Sequence, residues 1–323
     1  MKVIPLAADS MGVRSVATLV QCGTTSVLID PGASLGASRF NLPPAEEEWE
    51  ALRRANDRIS AYAVGASVVF ISHYHEEHFR YDVELYRDRN VWARDPARLP
   101  SPTQAQRAAT LWRDVGPACR MDRAEGRRLE TPDAVLVASS PLSHGRDGTE
   151  LGHVVALTVI DRREGFRFVH ASDVQGPLSP VATAYLIRER PQLLYLSGPP
   201  AYLESRLGTP LIDQGVANLT RIIEATGCRV IMDHHAVRDD RYRERFRQLW
   251  ESGHVVTAAG FLGLVDTPLE SARRHLWGKR RKPPARMPMR PAPRWARGLK
   301  ADGPSAIIKS RSAFARRKEG TTE

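Results

Sequence analysis

The sequence predicts an α/β protein built as a four-layer αββα sandwich, two β-sheets face to face with helices outside, followed by a disordered basic tail. Three observations predict it: two β-rich stretches, each followed by helical segments; regular strand–helix alternation after Asp173; and a proline- and arginine-rich end with almost no periodic apolar pattern. The opening is strand-rich, because residues 2–8, 14–21 and 25–30 are β-prone runs punctuated by Gly12, Gly23 and Gly32. This pattern reads as a meander. Pro43-Pro44 before Glu46, Glu47 and Glu48 marks a helix start, with proline in the first turn and carboxylates at the positive end of the macrodipole; the helix is expected to run to about Tyr62. A β run over 67–72 and a helix over 103–115 follow, then strands over 134–139, 153–161 and 166–172. Beyond Asp173 come a helix over 180–188, a strand over 192–197, a helix over 213–226, a strand over 229–233 and a helix over 239–250. No repeat at a fixed period occurs.

Composition limits the function classes. A chain of 323 residues with 42% apolar side chains suffices for one large core or two small ones, which excludes a disulfide miniprotein and a wholly disordered chain. Cys22, Cys119 and Cys228 form no CxxC pair and read as reduced, structural residues, so a cytoplasmic location is expected. No secretory apolar run opens the chain and no stretch approaches the ~18–20 apolar residues of a membrane span, so no membrane partner is expected. The formal charge of +10 is unevenly distributed. Sixteen of the 47 Lys and Arg, but three of the 37 Asp and Glu, fall in 273–323, which leaves 1–272 near −3 and the remainder near +13. The expected organisation is a folded body over 1–272 and a tail over 273–323. From Lys279 onward, Pro283, Pro284, Pro288, Pro291 and Pro293 stand among arginines; prolines lack backbone donors and like charges repel, so burial cannot recover the ordering entropy.

The strongest chemical signal is Ser72-His73-Tyr74-His75-Glu76-Glu77-His78, directly after an apolar β run. Three imidazoles and two carboxylates in a loop leaving a strand can bring several nitrogens and an oxygen to one small volume, as a metal site requires. Four other segments place ligand types at the ends of predicted strands: Asp30 after Val27-Leu28-Ile29, His144 after Pro141-Leu142-Ser143, Asp173 after His170-Ala171-Ser172, and His234-His235 after Val230-Ile231-Met232-Asp233. His170 itself reads as a buried, hydrogen-bonded core residue. Arg14 and Arg238 flank ligand-bearing loops and are candidates for bidentate contact with an anionic substrate. Ser197-Gly198-Pro199-Pro200-Ala201-Tyr202 is placed to line the pocket mouth. No Walker loop, dinucleotide fingerprint or Gly-x-Ser-x-Gly elbow occurs, which removes nucleotide-cofactor and serine-hydrolase readings.

With these motifs the sequence resembles the metallo-β-lactamase-fold hydrolases, whose His-x-His-x-Asp-His signature matches His73, His75 and His78, with Asp30, His144, Asp173 and one of His234/His235 in the order of the other motifs. Within that superfamily it resembles a largely archaeal branch of the UPF0282 type, through Ile4-Pro5-Leu6, Gly12-Val13-Arg14-Ser15, His170-Ala171-Ser172-Asp173, Gly198-Pro199-Pro200 and Asp233-His234-His235. The resemblance spans about 1–255. One position departs from it. Glu77 stands where the signature has aspartate, and its extra methylene adds roughly 1.5 Å of reach, so it ligates only if the loop retreats or the second metal shifts; Glu76 is the lesser substitute.

The resemblance implies a metallo-β-lactamase sandwich with two divalent metal ions, zinc first and manganese or iron as alternatives. His73, His75 and His144 would hold one ion; Glu77, His78 and the last histidine the second; Asp173 would bridge. Because strand alternation sends His234 and His235 to opposite sides, one is expected to ligate, and His235 is preferred. Asp30 is expected to orient the loops by hydrogen bonds. The implied reaction is hydrolysis by a metal-bridged hydroxide, with Glu77 or Asp173 relaying its proton. A phosphodiester or phosphoester substrate, including nucleic acid, comes first because of the basic tail; a thioester or lactone is the alternative. A third reading is an inactive scaffold that binds RNA through the tail. The tail's Lys and Arg can contact RNA or DNA phosphates, and Trp277 and Trp295 can stack on bases. The oligomeric state is open.

Overall fold

The computed structural model describes residues 1–278. Among these residues the first sheet runs in the order β1 (Lys2–Pro5), β2 (Thr18–Cys22), β3 (Thr25–Ile29), β4 (Val68–Ile71), β5 (Asn90–Ala93) and β6 (Arg120–Arg123). The second half supplies β7 (Arg128–Glu130), β8 (Ala134–Ala138), the short pair β9 (Leu142–Ser143) and β10 (His153–Val154), then β11 (Leu157–Asp161), β12 (Arg167–Ser172), β13 (Leu193–Ser197), β14 (Arg229–Asp233) and β15 (Val255–Val256). Its main sheet has the order β15-β14-β13-β12-β11-β8-β7. Each sheet has an antiparallel part and a parallel part: β3 to β6 are parallel in one, β12 to β15 in the other. The parallel parts need crossover connections, which the helices supply. These are α1 (Glu46–Ala63), α2 (Pro102–Asp114), α3 (Pro180–Glu189), α4 (Glu204–Leu207), α5 (Thr209–Thr226), α6 (Tyr242–Arg245), α7 (Arg247–Glu251), α8 (Ala258–Phe261) and α9 (Arg273–Gly278).

Strand alternation sorts the core into three apolar interfaces, which are the three seams of a four-layer sandwich. Val27, Ile29, Val68 and Phe70 point inward to meet Leu157, Val159, Phe168, Tyr195 and Ile231 of the opposite sheet. Their strand neighbours Leu28, Val69 and Ile71 point outward against Ala51, Ala55 and Ile59 of α1 and Ala108 and Leu111 of α2. On the other side Leu194, Leu196, Val230 and Met232 pack against α3 and α5 through Leu186, Ile212, Val216 and Leu219. A strand buried on both faces reads as a continuous apolar run, and this is why Val68–Ile71 and Leu193–Ser197 are so plain in the sequence. Truncating Phe70 at the central seam is expected to cost about 3–5 kcal/mol. His170 lies in this seam with its Nε2 3.1 Å from the Val16 carbonyl oxygen.

Several elements differ from the expectation. The first strand stops at Pro5 because Asp9–Met11 forms a 3-10 turn, and the second begins only at Thr18. The expected helix over 239–250 is divided into α6 and α7 at Phe246. The body does not end at 272. The Arg273 guanidinium is buried and forms a bidentate pair with Glu48 at 2.8 and 2.6 Å, fixing α9 to the start of α1, and the Trp277 indole donates to the Pro43 carbonyl at 2.8 Å. Trp277 is therefore a core residue and not a base-stacking one. Trp295 and the expectation of disorder from 279 onward lie outside the described residues. Cys22, Cys119 and Cys228 are free thiols, and no helix among the described residues is long and apolar enough to cross a membrane.

Candidate metal centre

The ligand-bearing loops leave the carboxyl ends of the parallel strands, where backbones are rigid and converge on one edge of the sandwich. Asp30 follows β3, the His73–His78 segment follows β4, Asp173 follows β12 and His234-His235 follow β14, while His144 comes after the β9 strand. Close backbone packing sets the loop height. A Cβ on Gly32 would lie 2.3 Å from the Phe79 amide nitrogen, so the Asp30-Pro31-Gly32 turn can sit against the end of the histidine loop only with glycine there.

Asp173 is the hub. Its carboxylate is completely buried; Oδ2 lies 3.5 Å from His73 Nε2, 3.5 Å from His78 Nε2, 3.3 Å from His144 Nε2 and 3.6 Å from His235 Nε2, and Oδ1 lies 3.5 Å from His234 Nε2. His75 joins on one side, with Nδ1 3.1 Å from His73 Nε2. Glu77 joins on the other, with Oε1 3.9 Å from His234 Nε2. Two groups of donor atoms result, each converging within 4.8 Å: His73, His75, His144 and Asp173 in one, Glu77, His78 and His234 in the other. A third group joins Asp173, His234 and His235.

The chemistry of this donor set fits divalent cations. Both Asp173 oxygens and the Nε2 atoms of His78 and His144 are buried and make no hydrogen bond among the described residues. Left so, a buried carboxylate costs several kcal/mol, and a cation removes that cost. The Nδ1 atoms of His78 and His234 are satisfied by carboxylates, which turns their Nε2 atoms toward Asp173. Asp30 accepts from Ser72 N at 2.8 Å, Ser72 Oγ at 2.7 Å, Ser172 Oγ at 3.0 Å and His78 Nδ1 at 2.9 Å. Asp9 does the same for His234, with Oδ2 2.6 Å from Nδ1, and its Oδ1 accepts from Arg238 Nε at 2.9 Å. A carboxylate behind an imidazole fixes its tautomer and raises its ligand basicity. Burial opposes charge here, yet Asp173 and Asp30 hold His78 up at about 10, whereas burial and the neighbouring His78 pull His73 down to about 3. Burial likewise resists ionisation of Asp173, but His234, His235 and His78 outweigh it and hold the carboxyl well below its ordinary value.

The expectation that strand alternation sends His234 and His235 to opposite sides does not hold. The strand ends at Asp233 and His234 takes φ +56, so both rings enter the same pocket, stacked with centroids 4.6 Å apart, and His234 is the one grouped with Glu77 and His78. Glu76 turns away and pairs with Arg107 at 3.0 Å. The two arginines assigned to substrate are engaged elsewhere. Arg14 forms a bidentate pair with Glu270 at 2.6 Å on each arm, and Arg238 is buried against Asp9, His234 and Glu77, the last at 3.4 Å.

Sequence reasoning missed Asp9, Gln104, Gln175 and Arg39. Gln104 Nε2 lies 3.5 Å from His75 Nε2 and Gln175 Nε2 lies 3.4 Å from His144 Nδ1. Asp9 carried one signal, a carboxylate just past an apolar run at the chain start, but the residue it serves is 225 positions away. Tyr202 does stand at the pocket mouth, its ring edge-on to His235 with centroids 6.1 Å apart.

No family model matches the chain. It is 39% identical to a UPF0282 protein of Methanopyrus kandleri over 295 residues, covering 86% of this chain and 100% of that one. It is 38% identical to a UPF0282 protein of Thermococcus gammatolerans over 304 residues, 90% of this chain and 99% of the other. Among solved structures, unliganded yeast PDE1 superposes with a TM-score of 0.51 at 11% identity, over 79% of this chain and 97% of that one. A metal-dependent hydrolase of the β-lactamase superfamily superposes with a TM-score of 0.44 at 15% identity, over 79% and 96%.

Proposed function

The chain belongs to the UPF0282 family and has the metallo-β-lactamase fold, and on that premise we propose that it is a metal-dependent hydrolase of phosphodiesters. One observation carries the reading: a fully buried carboxylate, Asp173, whose oxygens face five imidazole Nε2 atoms and accept no hydrogen bond among the described residues. His73, His75 and His144 would hold one divalent ion and Glu77, His78 and His234 a second, with Asp173, whose carboxylate faces both groups, serving both and zinc suited to the histidine-rich set. Bound there, the ions supply Lewis acidity and a water acidic enough to ionise near neutral pH.

The chain's own groups do the rest. Asp30 and Asp9 hold the His78 and His234 rings with Nε2 inward. Burial resists ionisation of Glu77, but Arg238, His75 and His78 keep its carboxyl well below the usual range, which suits it to hold a cation. Glu77 is 13% exposed against 0% for Asp173, so of the two carboxylates Glu77 is the one placed to pass a proton toward solvent. An anionic substrate is favoured over a thioester or lactone because Arg39, near the mouth, has no carboxylate within 4.0 Å among the described residues; its Nη2 donates to the Arg238 carbonyl oxygen at 2.9 Å and its Nε is buried without a partner.

The test is zinc-loaded full-length protein assayed in parallel on bis-p-nitrophenyl phosphate, a thioester and a lactone. Diester turnover that a chelator abolishes is expected, with E77Q lowering kcat about 10²-fold or more. Turnover of the thioester or lactone alone, or of none of the three, contradicts the reading.

A further inference from the structure

Beside the metal centre lies a row of alternating guanidinium groups and aromatic rings. The Tyr202 ring borders His235. The Arg39 guanidinium stands 5.0 Å from the Tyr202 centroid and 4.7 Å from the Phe40 centroid. The Arg274 guanidinium then lies 4.1 Å from the Phe40 centroid. Phe40 and Tyr202 are partly exposed and Arg274 is exposed, so the row runs from the pocket mouth to the surface.

Two features separate this row from ordinary surface packing. Neither Arg39 nor Arg274 has a carboxylate within 4.0 Å among the described residues, whereas the neighbouring Arg14, Arg238 and Arg273 are each held by one. The Arg39 Nε is also buried and unpartnered. Phe40, moreover, is held at φ +57 and Asn41 at φ +60, in a tight turn closed by the reciprocal bonds Arg39 N to Leu42 O and Leu42 N to Arg39 O, both 3.0 Å. Left-handed backbone is strained for a bulky aromatic residue, and such strain collects where a side chain must be presented in one place. Directly after α9, which carries Arg274, the sequence continues as Lys279-Arg280-Arg281-Lys282.

We propose that Arg274, Phe40, Arg39 and Tyr202 form a subsite for a single strand of nucleic acid leading out of the metal centre, with guanidinium groups on flanking phosphates and rings against bases. Cations supply salt-dependent attraction to the backbone, and rings supply a stacking platform that every base can use. The metal-dependent hydrolase is thereby assigned an oligonucleotide substrate. This assignment deepens the reading above and rests on it for the chemistry, though not for the binding.

The test uses the full chain in EDTA with fluorescein-labelled dodecathymidylate, read by fluorescence anisotropy across a salt series. Each phosphate contact on a single strand adds about 0.7 to the slope of log K against log salt. R39Q and R274Q are each expected to lower the slope by about that amount, and the double variant by about twice as much. F40A should weaken binding roughly fivefold or more with little change in slope. A strand carrying 4-thiothymidine should photo-cross-link to Phe40 or Tyr202. Arg274 is exposed, so R274Q still reports if R39Q disturbs folding. Absent binding by the wild type, or unchanged slopes with cross-links confined to 279–323, overturns the proposal. Equal affinity for poly-L-glutamate with the same losses reassigns the row to an acidic polypeptide and overturns it as well. Failure of zinc-loaded wild type on bis-p-nitrophenyl phosphate would sink the hydrolase reading alone, because the binding arm contains no metal.

Discussion

The two halves of the metal centre are backed by different chemistry. Behind His73, His75 and His144 stand neutral groups: Ser72 Oγ at 2.9 Å, Gln104 Nε2 at 3.5 Å and Gln175 Nε2 at 3.4 Å. Behind His78 and His234 stand carboxylates, Asp30 at 2.9 Å and Asp9 at 2.6 Å, and Glu77 faces Arg238. The first half therefore relies on imidazole number and the second on imidazole basicity. This difference matches the departures of the second half, where a longer carboxylate replaces the signature's aspartate and a buried guanidinium at 3.0 Å from His234 Nε2 repels any cation. Asp30 and Asp9 offset that repulsion.

The comparison can be broken most directly at its shared member. D173N should lower affinity at both halves by more than the 10–100-fold typical of losing an outer partner, measured by competition with a chromophoric zinc chelator. A loss confined to one half would remove Asp173 from the bridging position. Next in size, H234A should remove the second ion and H235A should leave two, read by elemental analysis after dialysis; the reverse order would restore the alternation argument. D9N and D30N should each weaken the second ion about 10–100-fold and leave the first unchanged, whereas Q175A should affect the first by less. Equal effects from Asp9 and Gln175 would erase the distinction between the halves. The smallest effect is expected from E77D, which shortens the arm but keeps the charge. A change of a few-fold in second-site affinity is expected, against a much larger loss in E77A.

Much of this was legible because rigid strand ends carry the ligands. Val68–Ile71, and Val230, Ile231 and Met232 within Arg229–Asp233, are apolar on both faces, so the polar residues that follow them stand out as site candidates. The charged edge strands Arg120–Arg123 and Arg128–Glu130 gave no such contrast; their side chains are largely exposed and mark no core face. Asp9 and Gln175 resemble any loop polar residue until the chain brings them to His234 and His144. Alternation does not describe His234 and His235, because periodicity belongs to a strand and fails at the residue where the strand stops. Arg39 and Phe40 were invisible for a related reason, since an aromatic residue is seldom left-handed and Asn41 alone hints at the turn.

Zinc stoichiometry of the full-length protein, measured by elemental analysis after equilibrium dialysis and compared between wild type and H234A, tests the central claim most directly. Two ions per chain in the wild type and one in H234A is the predicted result. No bound zinc in the wild type, or an unchanged count in H234A, would contradict it.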